Sequence, residues 1–252
     1  MRVPGPHGPF LPGERPGVVT WQRVTDEVAA AVRPSGFDVV HSFRAAWYDE
    51  AVAPAERLPW AAGGSALAIL IGNTRSLWPL FRAAMEADPT RHTVEDPLDC
   101  WVEQQLRVAL AAAFGPGAPR HLLVFAHEPP PRRLPFQRLA LHAGLAPISP
   151  GRLLAHPDYG PWFALRAVLV VDVEGPLGPP PSVGAPCEDC EAPCLAAFEA
   201  ASAVPGASDD LALFRRHWRA WLAVRDACPV GREHRYPDDQ IRFHYAREWS
   251  AA

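Results

Sequence analysis

Two long apolar runs constrain the fold of this 252-residue chain more than any other feature. The run SALAILIGN (65–73) follows Gly63–Gly64 and ends at the turn-forming pair Asn73–Thr74. A second run extends from Trp162 to Val173. Apolar runs of this length that are bounded by turn-forming residues are typical of buried strands. Helical patterns alternate with these strands, so we expect one α+β domain in which helices cover a sheet.

Shorter apolar stretches predict two more strands, at 37–43 and within RHLLVFAHEP (120–129). Apolar residues at helical spacing predict helices at 21–32, 75–87, 96–114, 134–144 and 209–227. Cys100 falls inside the third of these helices and is expected to be a small buried residue. The segment REHRYPDDQIRFHYAREW (232–249) reads as a polar tail.

Composition divides the chain into three parts. Residues 1–17 are rich in Pro and Gly and are expected to form a mobile N-terminal arm. Residues 18–174 hold the predicted strands and are expected to form the core. Residues 175–252 begin with another Pro- and Gly-rich stretch, contain most of the cysteines, and are expected to form a C-terminal cap on the same domain.

Charge and hydropathy exclude several classes of protein. The net charge of −4 argues against a nucleic-acid partner, which would require clustered basic residues. The longest apolar run, 65–72, is far shorter than the ~20 residues of a membrane-spanning helix. No secretory signal is visible at the N-terminus, and the number of cysteines is odd, so we expect a cytoplasmic protein with reduced thiols.

The 24 basic residues are all Arg, and the absence of Lys excludes a P-loop nucleotide site and a Schiff-base enzyme. The chain also lacks G-x-G-x-x-G, H-E-x-x-H and G-x-S-x-G motifs, as well as the D-x-H-x-x-G motif by which many cobalamin proteins supply a histidine to cobalt. These patterns assign no catalytic residue.

Three of the five cysteines lie in CEDCEAPC (187–194), and a fourth lies in a Cys-Pro pair at 228–229. Four thiolates can hold a 4Fe–4S cluster, and the same four can bind zinc tetrahedrally. Three alternatives therefore remain for Cys187, Cys190, Cys194 and Cys228: an iron–sulfur cluster, a zinc ion, or no metal.

Five stretches, in order, resemble the CblC (MMACHC-type) cobalamin-processing family. GFDVVHSFRAAWYDE (36–50) is similar to the family's G-F-x-V…A-W-Y-N-E, and HPDYGPWFALRAVL (156–169) is similar to H-P-x-F-G-x-W-F-A-I-R-G. FRRHWRAWLAVRDACPVGREHRYPDDQ (214–240) resembles F-x-x-H-W-R-D-W-x-x-R-D-A…E-R-Y-x-x-E-Q. EDPLDCWVEQQL (95–106) and RRLPFQRLALHAG (132–144) lie between them and match further family stretches.

The resemblance implies a fold like that of flavin reductases and nitroreductases, with a mixed sheet flanked by helices. It also implies that the chain binds base-off cobalamin and removes the upper axial ligand, by reductive decyanation or by dealkylation. FMN or FAD, or glutathione, would supply the electrons or the thiolate. The cofactor carries the chemistry in such a protein, while the chain binds and orients it.

The matched motifs also imply the residues of the site. The expected pocket for cobalamin and thiol comprises His142, Trp162, Phe163, Ala164, Leu165, Arg166, Arg225 and Tyr236. The guanidinium groups of Arg166 and Arg225 suit the two carboxylates of glutathione, since a guanidinium can hold a carboxylate through two hydrogen bonds.

Epoxyqueuosine reductases are a second, more distant resemblance, because they carry a P-x-F-G-x-W stretch before a cysteine motif. Three alternatives to an upper-ligand-removing enzyme follow. The chain could be a cobalamin chaperone without turnover, an iron–sulfur and cobalamin reductase of a separate organic substrate, or a flavin reductase that binds no cobalamin. Downstream cobalamin-dependent enzymes or a redox protein are the expected partners, and the sequence allows a monomer or a homodimer.

Overall fold

The computed structural model describes residues 19–59, 64–182, 186–204 and 210–249, so the predicted arm at 1–17 lies outside the described residues. The strands are β1 (Val39–Arg44), β2 (Ala66–Asn73), β3 (His121–Phe125) and β4 (Ala164–Glu174). The helices are α1 (Trp21–Val32), α2 (Ala45–Asp49), α3 (Leu77–Ala87), α4 (Pro97–Ala113), α5 (Phe136–His142), α6 (Pro193–Ser202), α7 (Leu211–Arg216), α8 (Trp218–Asp226) and α9 (Asp238–Ala246). Among the described helices, none is long and apolar enough to cross a membrane.

The strands form a single sheet in the order β1-β2-β4-β3. Each neighbouring pair is antiparallel, as in the pairing of Leu70 on β2 with His41 on β1 and Val168 on β4. The α+β class is confirmed, but the expected mixture of parallel and antiparallel strands is wrong for the described part of the chain. Helices lie between the strands in sequence, but the neighbouring pairs β1–β2, β2–β4 and β3–β4 are all antiparallel, so alternation of helices and strands did not imply parallel pairing.

The sheet is covered on both faces, which explains why β2 and β4 are apolar at nearly every position. Leu67, Ile69 and Ile71 of β2 face one core, and Ala68 and Leu70 face the other. The first core packs the sheet against α1, α3 and α4 through Val28, Phe81 and Val102 among others. The second core packs it against α2 and α5 through Tyr48, Leu139 and Ala140.

The C-terminal part departs from the predicted helices. The single helix expected at 209–227 is two helices, α7 and α8, because His217 between them has φ −103° and ψ 21°, outside the helical range. The predicted polar tail contains α9, which buries Gln240, Ile241 and Phe243. Cys100 is exposed on α4, so the expectation that it is buried is wrong.

Two glycines allow a close crossing of the backbone at the base of β4. Gly160 ends the turn that precedes β4, Gly231 follows α8, and their φ angles are +53° and +70°. A Cβ atom on Gly160 would lie 2.0 Å from the carbonyl oxygen of Val230, and one on Gly231 would lie 2.2 Å from the carbonyl carbon of Tyr159. The crossing therefore fixes the entry to β4 against the segment after α8.

Replacement of Gly160 by Ala should destabilise the protein because it adds a backbone clash to the strain of a positive φ. Gly117→Ala is the matched control, since Gly117 has φ +86° but open space around its Cα. We expect a loss of about 1 kcal/mol in the free energy of unfolding for the control and on the order of 3 kcal/mol for Gly160→Ala. Equilibrium urea unfolding measures both, and equal losses would show that the crossing is not rigid.

Candidate functional site

A cavity of about 420 Å³ lies between the start of β4 and the C-terminal helices. Its wall comprises Gly151, Arg152, Leu153, Ala164, Arg166, Phe198, Phe214, Trp221, Val224, Arg225, Tyr236, His244 and Tyr245. Much of the wall is aromatic, and the ring of Phe214 stacks on Trp221 at 5.7 Å and on Tyr245 at 6.1 Å between centroids. Such a wall, with a few polar groups among apolar rings, is typical of a site for an organic ligand.

A β-bulge aims Arg166 at this cavity. Ile71 of β2 pairs with Ala167, but the next residue, Gly72, pairs with Leu165, so Arg166 is left as the extra residue. Leu165 consequently packs on the second core while Ala167 packs on the first, although residues two apart normally share a face. The bulge re-aims the Arg166 side chain, as bulges beside functional sites commonly do.

Arg166 is fixed by two polar neighbours. Its Nε donates a hydrogen bond of 2.7 Å to Oδ1 of Asn73, which is fully buried at the end of β2. Its Nη1 lies 3.9 Å from the carboxylate of Asp99 on α4. Burial lowers the pKa of Arg166, and the nearby Tyr236 and Asp99 oppose that effect. The guanidinium is therefore held in one orientation before any ligand arrives.

Arg225, on α8, packs between two rings. Its guanidinium carbon lies 5.7 Å from the ring of Trp162 and 5.6 Å from the ring of Tyr236. No described carboxylate lies within ion-pair distance of Arg225, unlike Arg235, which pairs with Asp226 at 2.7 Å. Arg225 is thus a positive charge that the described residues do not neutralise.

Three buried polar atoms at this cavity have no hydrogen-bond partner among the described residues. They are Nε of Arg225, Oη of Tyr236 and Nε1 of Trp221. The Arg225 guanidinium and the Tyr236 hydroxyl lie close enough to interact with each other, but the contact does not have the geometry of a hydrogen bond at these two atoms. Buried polar groups in folded proteins are normally paired, and an unpaired one costs about 1–3 kcal/mol. Unpaired groups gathered at one cavity indicate that its ligand is polar, and the arginines indicate that it is anionic in part.

A second cavity of about 200 Å³ adjoins the first, and the two share Leu153, Ala164 and Arg225. Of the residues that the sequence assigns to the site, Ala164, Arg166, Arg225 and Tyr236 line the first cavity, and Phe163, Ala164, Leu165 and Arg225 line the second. Trp162 is 1% exposed and lies beneath Arg225. His142 lies elsewhere, at the end of α5 beside Tyr48 with 6.3 Å between ring centroids.

Sequence reasoning missed the wall residues of α6, α7 and α9, among them Phe198, Phe214, His244 and Tyr245. The sequence pattern assigns the segment that holds His244 and Tyr245 to a polar tail, and it predicts no helix at α6. One signal was available: the run Phe243, His244, Tyr245 is too aromatic for a solvated tail.

His244 contributes an uncharged imidazole to the site. Burial lowers its pKa well below 6.5, and the positive charges of Arg166, Arg225 and Arg247 lower it further. Its ring lies 5.8 Å from the ring of Tyr236, and its Nε2 lies 3.4 Å from Nε2 of Gln240. Near neutral pH the charged side chains of the cavity wall itself are therefore Arg152, Arg166 and Arg225.

The clustered cysteines lie in the turn before α6, on α6 and directly after α8, and α6 and α8 both contribute to the cavity wall. Cys187 and Cys190 are in the turn at 186–190, Cys194 is buried at the start of α6, and Cys228 follows α8. All of these are free thiols, and no three described His, Cys, Asp or Glu side chains form a ready metal site. The proposed iron–sulfur cluster or zinc ion therefore stays a prediction.

The pH dependence of the free energy of unfolding should show that His244 is uncharged in the folded protein. Its pKa is lower in the folded protein than in the unfolded chain, so the unfolded chain binds more protons and unfolding is favoured as pH falls from about 7 to 5. His41 and His156, whose pKa values are also lowered by burial, contribute to the same loss. His244→Gln should therefore lose less stability than wild type over this range, in urea unfolding at several pH values.

Tyr245→Phe is the control for this measurement. It alters the same cavity wall but removes no imidazole, the side chain that normally changes charge between about pH 5 and 8. It should keep the wild-type pH dependence. If His244→Gln follows the wild-type curve as well, His244 is not held neutral by its surroundings.

No family model matches the chain. The chain is 30% identical over 230 residues to the human cyanocobalamin reductase / alkylcobalamin dealkylase. The alignment covers 83% of this chain and 73% of the human protein. It is 29% identical to the mouse protein of the same name, over 82% of this chain and 72% of the mouse protein. The chicken protein of that name is 26% identical over 88% of this chain and 91% of its own length.

A solved structure shares the fold. The crystal structure of a C. elegans B12-trafficking protein CblC, a human MMACHC homologue, superposes with a TM-score of 0.61 and 21% identity, over 88% of this chain and 90% of that one. From the curated relatives, at up to 30% identity over most of both chains, we conclude that this chain belongs to the CblC family of cyanocobalamin reductase/alkylcobalamin dealkylase proteins.

Proposed function

We propose that this protein is an enzyme that binds cobalamin base-off and removes its upper axial ligand, by reductive decyanation or by dealkylation. Relatives named cyanocobalamin reductase / alkylcobalamin dealkylase support this activity. The observation that carries it is the aromatic cavity, where Arg225, Tyr236 and Trp221 present buried polar atoms without partners among the described residues.

The proposed ligand surface begins at the start of β4. The corrin or the attacking thiol would contact the segment 162–166, Arg225 and Tyr236, because these residues line the two adjoining cavities or support them from beneath. Cobalamin is much larger than either cavity, so part of it must extend beyond them. His142, which lines neither cavity, is proposed to contact such an outlying part.

Glutathione is a proposed co-substrate of the dealkylation. Its two carboxylates suit the two guanidinium groups of Arg166 and Arg225, and Nε of Arg225 is unpaired among the described residues. Its thiolate would attack the cobalt-bound carbon, so that a carbon–sulfur bond forms as the carbon–cobalt bond breaks and the electron pair of the broken bond stays with cobalt. For decyanation, reduced FMN or FAD is the proposed electron source, and a 4Fe–4S cluster or zinc at the clustered cysteines is a further proposed component.

Several broader features belong to the same proposal. The fold would be a variant of the flavin reductase and nitroreductase folds, with residues 175–252 as a cap on the core. The protein would act in the cytoplasm, as a monomer or homodimer, and would pass processed cobalamin to cobalamin-dependent enzymes or receive electrons from a redox partner. The aromatic residues that α6–α9 contribute to the cavity wall favour a cap that belongs to the same site.

The first experiment follows the absorption spectrum of cyanocobalamin on addition of the protein, with released cyanide measured under reducing conditions. A shift to the base-off spectrum together with cyanide release supports the proposed enzyme. A shift without release, and without dealkylation of methylcobalamin by glutathione, would instead indicate a chaperone. The absence of any spectral shift would contradict cobalamin binding altogether.

Arg225→Gln should weaken the binding of glutathione more than it weakens the binding of cobalamin. Loss of a hydrogen bond to a charged group costs about 1.5–3 kcal/mol, so we expect an increase of about 10- to 100-fold in the KM for glutathione during dealkylation. Arg219→Gln is the matched control, since Arg219 is an exposed residue of the same helix and lines neither cavity. An equal change in the KM for glutathione in both variants would show that Arg225 does not bind glutathione.

A further inference from the structure

A histidine that lines neither of the two adjoining cavities organises the turn that leads into β4. The turn runs from His156 to Gly160, and these two residues exchange two backbone hydrogen bonds of 2.9 Å. Inside the turn, Nδ1 of His156 accepts hydrogen bonds from the backbone N–H groups of Asp158 at 3.1 Å and Tyr159 at 3.4 Å. The imidazole therefore takes the place of a backbone acceptor within the turn.

The ring of His156 is packed against the wall of the second cavity. It stacks on the ring of Tyr159 with 4.4 Å between centroids, and it meets the ring of Phe163 edge-on at 5.7 Å. Phe163 is buried and lines the second cavity. A single ring contact therefore separates His156 from the surface on which the ligand is proposed to lie.

The other end of the turn is held against the rest of the protein. It takes part in the backbone crossing with the segment after α8, and the ring of Tyr159 meets the ring of His234 edge-on at 4.9 Å. The backbone N–H of Trp162 donates to the carbonyl oxygen of Tyr159 at 2.9 Å. A change inside the turn is therefore transmitted to the segment 162–166, because the turn is not free to absorb it.

We propose that His156 is a positioning residue for cobalamin binding: its unprotonated Nδ1 holds the turn, and through the turn it holds Phe163 and the start of β4 in the binding conformation. This inference rests on the proposed function. A neutral imidazole has one accepting nitrogen and one donating nitrogen, whereas a protonated imidazole donates from both. Protonation of Nδ1 therefore breaks both hydrogen bonds to the turn and weakens the binding of the ligand.

The groups that face the ring keep it unprotonated near neutral pH. Burial lowers the pKa of His156, the carboxylate of Asp158 raises it, and charges on His41 of β1 and on His234 lower it. The carboxylate of Asp158 lies 3.9 Å from Nδ1 but is 79% exposed, so water weakens its attraction for a protonated ring. The turn should therefore be intact near pH 7 and should be lost as pH falls below about 6.

The first test is an NMR titration of the full-length protein labelled with nitrogen-15 only at its tyrosines, of which the chain has four. The amide signal of Tyr159 is the one that is missing from Tyr159→Phe. Between about pH 7.5 and 5 this signal should shift in wild type, and the shift should be lost in His156→Asn. A Tyr159 signal that does not titrate, or that titrates equally in both proteins, overturns the acceptor role of His156.

The second test is the Kd of cyanocobalamin, measured from its spectral shift. In His156→Asn the amide oxygen can accept from the N–H group two residues on, as in an Asx-turn, and it does not titrate. His156→Leu has no acceptor. At about pH 7.5 we expect His156→Leu to raise the Kd about 10-fold and His156→Asn to stay within about 2-fold of wild type.

As pH falls to about 5, the affinity of wild type should decrease about 3- to 10-fold more than that of His156→Asn. The protonation of His244 is common to both proteins and cancels in this comparison. His121→Asn is the matched control, since Nδ1 of His121 lies 3.0 Å from the carbonyl oxygen of Pro119 on the exposed side of β3, and this variant should follow wild type at every pH.

An equal Kd in wild type and His156→Leu contradicts the positioning role. If His156→Leu does not fold, the comparison of wild type with His156→Asn decides, because an equal loss of affinity in both on acidification shows that the loss arises elsewhere. If the cyanocobalamin spectrum never shifts, the proposed function and the positioning role fail together, while the Tyr159 titration still shows whether His156 holds the turn. If the spectrum shifts with the same pH dependence in all variants, the proposed function stands and the positioning role fails.

Discussion

The antiparallel pair β2 and β4 is buried on both faces, and the other elements take their positions from it. Such a pair is stable because its backbone groups are satisfied by neighbouring strands while apolar side chains fill a core on each side. A charged residue is out of place at the centre of such strands. Arg166 is accommodated because it stands near the end of the pair, at the bulge, where Asn73 and Asp99 can reach its guanidinium.

The sequence predicted the strands more successfully than the site. The apolar runs around Ile69 and Val170 could be assigned from the sequence, because apolar runs of this length between turn-forming residues are typical of buried strands. Resemblance to a family supplied Arg166, Arg225 and Tyr236, which the structure gathers at one cavity. It also supplied His142, which lies apart from that cavity and beside Tyr48.

The remaining features depend on tertiary contacts that no local pattern contains. The bulge at Gly72 has no signature in the sequence beyond the glycine itself, whose Cβ would lie 2.5 Å from the carbonyl oxygen of Ala164. The break at His217 occurs without proline or glycine. The helix α9 has a polar composition, and it is ordered by ion pairs such as Arg82 to Asp239 at 2.6 Å and by the burial of Phe243.

Buried polar atoms of Arg225, Tyr236 and Trp221 find no hydrogen-bond partner in the described part of the chain. Because of these atoms, the concentration of ligand in the cell affects how long the protein survives there. Their desolvation destabilises the folded chain, and a polar ligand that pairs with them offsets this cost, so the ligand stabilises the folded state by an amount that grows with the logarithm of its concentration. Cellular proteases remove chains in proportion to how often they unfold. A cell short of ligand would therefore keep less of this protein, without any change in its synthesis.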